Sequence, residues 1–169
     1  MTSAEGSVRG WLTGRVPSEW FVEPPEVAVD KDEILVVGAI GEPDLAPQAD
    51  DAERSAAALG RISAFREQTR AQRIQIAREL QHRAERTVSW GARCGDQRVL
   101  FTTASVPVMT RLRMSERQTL DTLVDAGVAR SRSDALAWCV RLVATNSEEW
   151  LSDLREALTA VEKVRAAGP

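Results

Sequence analysis

The stretch Val106–Val143, VPVMTRLRMSERQTLDTLVDAGVARSRSDALAWCVRLV, decides how this chain is read. Val106–Met114 alternates in character, which predicts one short strand. Val108, Thr110, Leu112 and Met114 share one face, and Met109, Arg111 and Arg113 share the other. Ser115 with Gln118 predicts a capping box that opens a helix, and Leu120, Leu123 and Val124 give that helix an apolar stripe. Gly127 stands where a helix ends in a left-handed residue. Val128–Arg132 then reads as a turn, and Ser133 as the N-cap of a second helix with Asp134 in its first turn. That helix is expected to bury Leu136, Trp138 or Cys139, Val140 and Val143.

This order of strand, helix, glycine turn, Arg-Ser cap and helix resembles the ribbon-helix-helix family, of the Arc, MetJ and CopG type. The residues carrying the resemblance are MTRLRM, SERQTLDTLVDAGV and SRSDALAWCVRLV. It implies a homodimer in which two strands pair antiparallel across a two-fold axis and enter the major groove of double-stranded DNA. Carried onto this chain, Met109, Arg111 and Arg113 face the bases. An arginine fork suits guanine O6 and N7, where it is worth roughly 1–3 kcal/mol of discrimination. The family also holds a phosphate on the backbone amides opening the second helix, here Ser133 and Asp134, with Arg130 and Arg132 nearby.

The sequence departs from that pattern in three ways. Residues 1–105 precede the ribbon, whereas family members usually begin near it. Met109 reads no hydrogen-bond pattern, and the Asp134 carboxylate repels a phosphate. The bland alternative for Arg111 and Arg113 is the solvated face of an edge strand.

Downstream, residues 147–169 read as an amphipathic helix, with Thr145 and Glu148 as its capping box. Trp150, Leu151, Leu154, Leu158 and Val161 form its stripe, which packs on the chain's own core, packs across a dimer, or seeks a partner's groove. Upstream, residues 1–105 read as a ββ-α-ββ unit. Met1–Pro17 is expected to be a flexible lead-in that Trp11 and Leu12 can anchor. Glu26–Asp30 and Ile34–Ile40 are short strands around an Asp30–Glu33 turn. Gly41–Ser55 is a linker, and one helix runs from Asp51 or Arg61 to Arg86, its inner side lined by Ile62, Phe65, Thr69, Ile76 and Leu80. Arg66, Arg70 and Arg73 stack beside that stripe, either as a solvated flank or as an accessory basic face for nucleic acid. Thr87–Cys94 and Arg98–Thr103 form a hairpin around Gly95-Asp96.

Charge is unevenly spread along the 169 residues, so the net −3 decides little. Met1–Gly60 holds 4 basic and 12 acidic residues, Arg61–Ser105 holds 9 and 4, and Val106–Asn146 holds 6 and 4. The basic helix Arg61–Arg86 would therefore supplement a ribbon of modest charge. No apolar run approaches a membrane span, and MTSAEGSVRGWLTGR lacks the apolar core of a secretory leader. Two cysteines and one histidine supply neither a disulfide scaffold nor a zinc site, and the setting expected is a reducing cytoplasm. With no phosphate loop, nucleophile motif or metal-ligand cluster, the chain reads as a binding protein without cofactor or metal, not an enzyme.

The fold expected is α+β, in three parts: residues 1–105, a ribbon-helix-helix module at 106–146, and a terminal helix at 147–169. The function expected is a dimeric, sequence-specific transcriptional regulator. The alternative is an antitoxin-like or scaffold protein that keeps the fold for dimerisation. It would bind a protein partner through the C-terminal helix or the acidic N-terminal segment.

Overall fold

A computed structural model describes residues 3–168. Among them are four strands in one sheet and six helices, a mixed α+β chain that divides into two compact units, Met1–Pro107 and Val108–Pro169.

The first unit begins with helix α1 (Ser3–Arg15), where a flexible lead-in was expected; Met1 and Thr2 lie outside the described residues. Leu12 and Val8 of α1 are buried against the sheet, and that burial is what orders the segment. Strands β1 (Glu26–Val29) and β2 (Glu33–Ala39) are antiparallel around a turn at Asp30. The Asp30 carboxylate accepts the amides of Asp32 at 2.8 Å and Glu33 at 2.6 Å, which fixes the turn.

β3 (Thr87–Cys94) then lies parallel to β2, with Ile34 opposite Val88 and Val36 opposite Trp90. Parallel neighbours need a long crossover, and helices α2 (Asp51–Gln68) and α3 (Arg70–Ala84) supply it. β4 (Gln97–Leu100) closes the sheet antiparallel to β3 through Gly95, at φ +54°. The sheet order is β1-β2-β3-β4, so the expected ββ-α-ββ unit is an α-ββ-αα-ββ unit.

The single helix expected up to Arg86 is broken at Thr69. Its hydroxyl donates to the Phe65 carbonyl at 2.6 Å, competing with the helical hydrogen-bond ladder at that point. The apolar stripe survives the break. Ile62, Ile76 and Leu80 are buried with Ile34, Val36, Val88, Trp90 and Ala92, so the helices and one sheet face share one core. Trp20, Phe21, Phe65, Phe101 and Trp90 meet there with ring centroids 5.6 to 6.3 Å apart. Gly38 admits the Phe21 ring over its backbone: a Cβ there would stand 1.9 Å from a Phe21 ring carbon.

The second unit carries α4 (Met114–Asp125), α5 (Arg132–Asn146) and α6 (Glu148–Ala167). α4 starts one residue before the expected cap. The Glu116 carboxylate accepts the Arg113 amide, so Arg113 rather than Ser115 holds the N-cap position. α4 ends as anticipated at Gly127, with φ +73°. Val128 N–H donates to Leu123 C=O and Gly127 N–H to Val124 C=O, both at 3.0 Å, which is the Schellman arrangement. Ser131, not Ser133, caps α5, its hydroxyl accepting the Asp134 amide at 3.2 Å. Thr145 donates back to Arg141 within α5, and the break before α6 falls at Ser147. No helix among the described residues is long and apolar enough to cross a membrane.

Candidate nucleic-acid interface

The segment expected as a strand, Val106–Met114, forms no strand within its own chain. A single short strand has no ladder partner here, and a strand is defined by its pairing. Within it, Leu112 packs half-buried on the helix cluster built by Leu120, Ala129 and Ala135. Arg117 Nη1 donates to the Leu112 carbonyl at 2.7 Å, which ties the end of the segment to α4. Met109, Arg111 and Arg113 are all exposed. Of the side chains expected inward, Val108 and Met114 are exposed as well, so alternation holds at Leu112 but not along the segment.

The N-terminus of α5 is already occupied by the chain's own acids. Arg132 donates to Asp121 of α4 through Nε at 2.6 Å and Nη2 at 2.7 Å. The Asp134 carboxylate accepts the Arg130 amide at 3.0 Å, and Arg130 Nε lies 3.7 Å from it. The hydrogen bond from Arg132 holds the Asp121 carboxyl below its usual range, and that from the Arg130 backbone does the same for Asp134. Arg130 and Ser133 remain exposed beside them, so the three residues expected to meet phosphate do lie together. Asp121 is the participant the sequence reading missed. It stands eleven residues before Arg132, and only the Gly127 turn brings the two together.

Of the side chains expected within the second helix's buried face, Leu136, Trp138 and Cys139 are half-buried, while Val140 and Val143 are exposed. Ala135 takes the buried place, where α5 lies against α4. No residue of α6 is fully buried: of its expected stripe Leu151 is half-buried, while Trp150, Leu154, Leu158 and Val161 are exposed, as is Val164.

In the first unit, Arg66 and Arg70 are exposed. Arg73 is not part of a basic face: it is buried, and its guanidinium lies over the Phe101 ring. Its Nε donates to Thr69 Oγ1, which holds it inward. Among the described residues, no group of three or more histidine, cysteine, aspartate or glutamate side chains is placed to hold a metal ion.

Residues 6–100 match the Rv1265-like protein, N-terminal domain, and residues 113–165 match the Mb1296 C-terminal domain. The chain belongs to the Rv1265-like family. It is similar to the uncharacterized protein Mb1296 of Mycobacterium bovis, with 55% identity over 159 residues, covering 94% of this chain and 69% of that protein. The same identity and coverage hold for the uncharacterized protein Rv1265 of Mycobacterium tuberculosis. No solved structure matches the chain. In this family member the N-terminal match takes in the whole four-stranded sheet, and the C-terminal match takes in α4 and α5 and most of α6.

Proposed function

We propose that the second unit is one subunit of a ribbon-helix-helix dimer that binds double-stranded DNA, and that the chain acts as a sequence-specific transcriptional regulator. One observation carries this reading. Among the described residues, those immediately before α4 pair with no strand, while α4, α5 and the turn between them fully bury Leu120, Ala129 and Ala135 and no more. A unit this small cannot offset its ordering entropy with so little apolar burial. A second copy supplies what is missing. Antiparallel pairing of two Val108–Arg113 segments completes a ribbon, and Val140 and Val143 gain a surface to bury against.

The work is binding, not chemistry. Met109, Arg111 and Arg113 project from the paired ribbon to base edges, where the arginines select guanine. Arg130, Arg132 and Ser133 flank the ribbon and meet the phosphates, giving salt-dependent affinity. The Asp121 and Asp134 carboxylates temper that charge, which limits non-sequence-specific attraction relative to base reading. Residues 3–100 then form the partner or effector side of the regulator.

The test is a fluorescence-anisotropy titration against pooled duplexes, with light scattering for the oligomeric state. The reading expects a dimer that enriches a short palindrome, and loss of that binding in Arg111→Ala/Arg113→Ala. A monomer, or unchanged binding by that variant, discards it. The exposed stripe of α6 favours a second reading, capture of a protein partner through that helix. In that case the dimer forms but enriches no duplex.

A further inference from the structure

The junction of α2 and α3 holds a buried cation that no carboxylate pairs among the described residues. Arg73 is 6% exposed. Its guanidinium stands 4.7 Å from the centroid of the Phe101 ring, and that of Arg66 stands 5.8 Å from the same ring. Arg73 Nε donates to Thr69 Oγ1 at 2.9 Å, and Nη2 donates to the Arg66 carbonyl. Nη1 meets no protein acceptor among the described residues.

Among those residues no carboxylate pairs with Arg66, Arg70 or Arg73, and Glu67, their neighbour on α2, pairs with none of them. The contrast within the same unit is plain: Arg15 holds Glu79, Arg93 holds Glu23, and Arg98 holds Glu26. Burial first, and then the charges of Arg66 and Arg70, lower the pKa of Arg73, so two like charges bear on the buried one. A buried charge is normally paired, because its lost hydration is otherwise uncompensated. The Phe101 face offsets part of that cost and carries no negative charge.

We infer that the α2–α3 junction is a binding site for a compact oxyanion, a phosphate group on a small ligand. Arg73 Nη1, left without a protein acceptor, and the exposed guanidinium groups of Arg66 and Arg70 would hold the anion. Guanidinium forks match phosphate oxygens in geometry and charge. A compact anion suits the site better than a duplex, because the central guanidinium is recessed against Phe101 and a broad backbone cannot reach it. This site is independent of the DNA reading of the second unit.

The test uses the full chain in inorganic phosphate and pyrophosphate, with chloride at matched ionic strength as the reference. Calorimetric titration is expected to give saturable binding, and the melting temperature to rise with anion concentration. Arg66→Gln/Arg70→Gln alters only exposed side chains, so the fold is retained, and it is expected to weaken binding at least tenfold. Arg73→Lys, which keeps the charge and loses the fork, is expected to weaken it as well. No saturable heat beyond chloride, or equal affinity in the double variant, overturns the inference. So does a double variant that loses affinity for duplex DNA while the parent shows no saturable phosphate binding.

Discussion

Arg132 of α5 grips Asp121 of α4 through two hydrogen bonds, 2.6 and 2.7 Å long, across the Gly127 turn. The pair ties the start of α5 to α4. It also makes the second unit sensitive to acid. The Asp121 and Asp134 carboxyls both lie below their usual range, through the Arg132 side chain and the Arg130 backbone respectively. A carboxyl depressed on folding contributes stability that is complete above its unfolded pKa and is lost as pH falls through its folded one. The melting temperature is therefore expected to hold at neutral pH and drop below the ordinary carboxylate range. The acid-linked part of that drop should shrink in Asp121→Asn/Asp134→Asn, as read by circular dichroism.

Arg111 and Arg113 are expected to act on DNA alone. Truncating either to alanine should cost roughly 1–3 kcal/mol of discrimination, or about five- to 150-fold in affinity for the preferred duplex. Dimer mass by light scattering should not change. Arg130→Ala, in contrast, should weaken all duplexes alike and flatten the salt dependence.

Val140 and Val143 stand exposed on α5, and the proposed dimer would cover them. Val140→Asp/Val143→Asp is expected to yield monomers whose second unit loses helicity. The parent's melting temperature should rise with protein concentration, and that of the variant should not. Sedimentation equilibrium decides the first outcome and scanning calorimetry the second.

Gly38 lies under the Phe21 ring, and any side chain there collides with it. Gly38→Ala should destabilise the first unit by roughly 1–3 kcal/mol through overpacking. Phe21→Leu in that background should recover part of the loss, a coupling that a denaturant double-mutant cycle measures.

Trp90 Nε1 is buried without an acceptor among the described residues. Trp90→Phe removes that unpaired donor and keeps most of the aromatic packing against Trp20. Its cost in urea unfolding should fall well below the roughly 3–5 kcal/mol of Trp90→Ala.

The sequence by itself determined the elements whose pattern is local. The Glu26–Val29 and Glu33–Ala39 strands, the Gly95 hairpin, the α4 stop at Gly127 and the stripe from Ile62 to Leu80 all follow from periodicity and turn chemistry within a few residues. Only the tertiary structure decided what depends on distant partners. α1 is helical because Leu12 finds the sheet, and β2 lies parallel to β3 because two helices intervene. Arg73 is held inward because Thr69 accepts its Nε and Phe101 offers its face. Arg132 is paired with Asp121, a residue whose proximity no spacing rule encodes. Short-range signals are written in consecutive side chains, whereas burial and ion pairing arise only where the folded chain returns on itself.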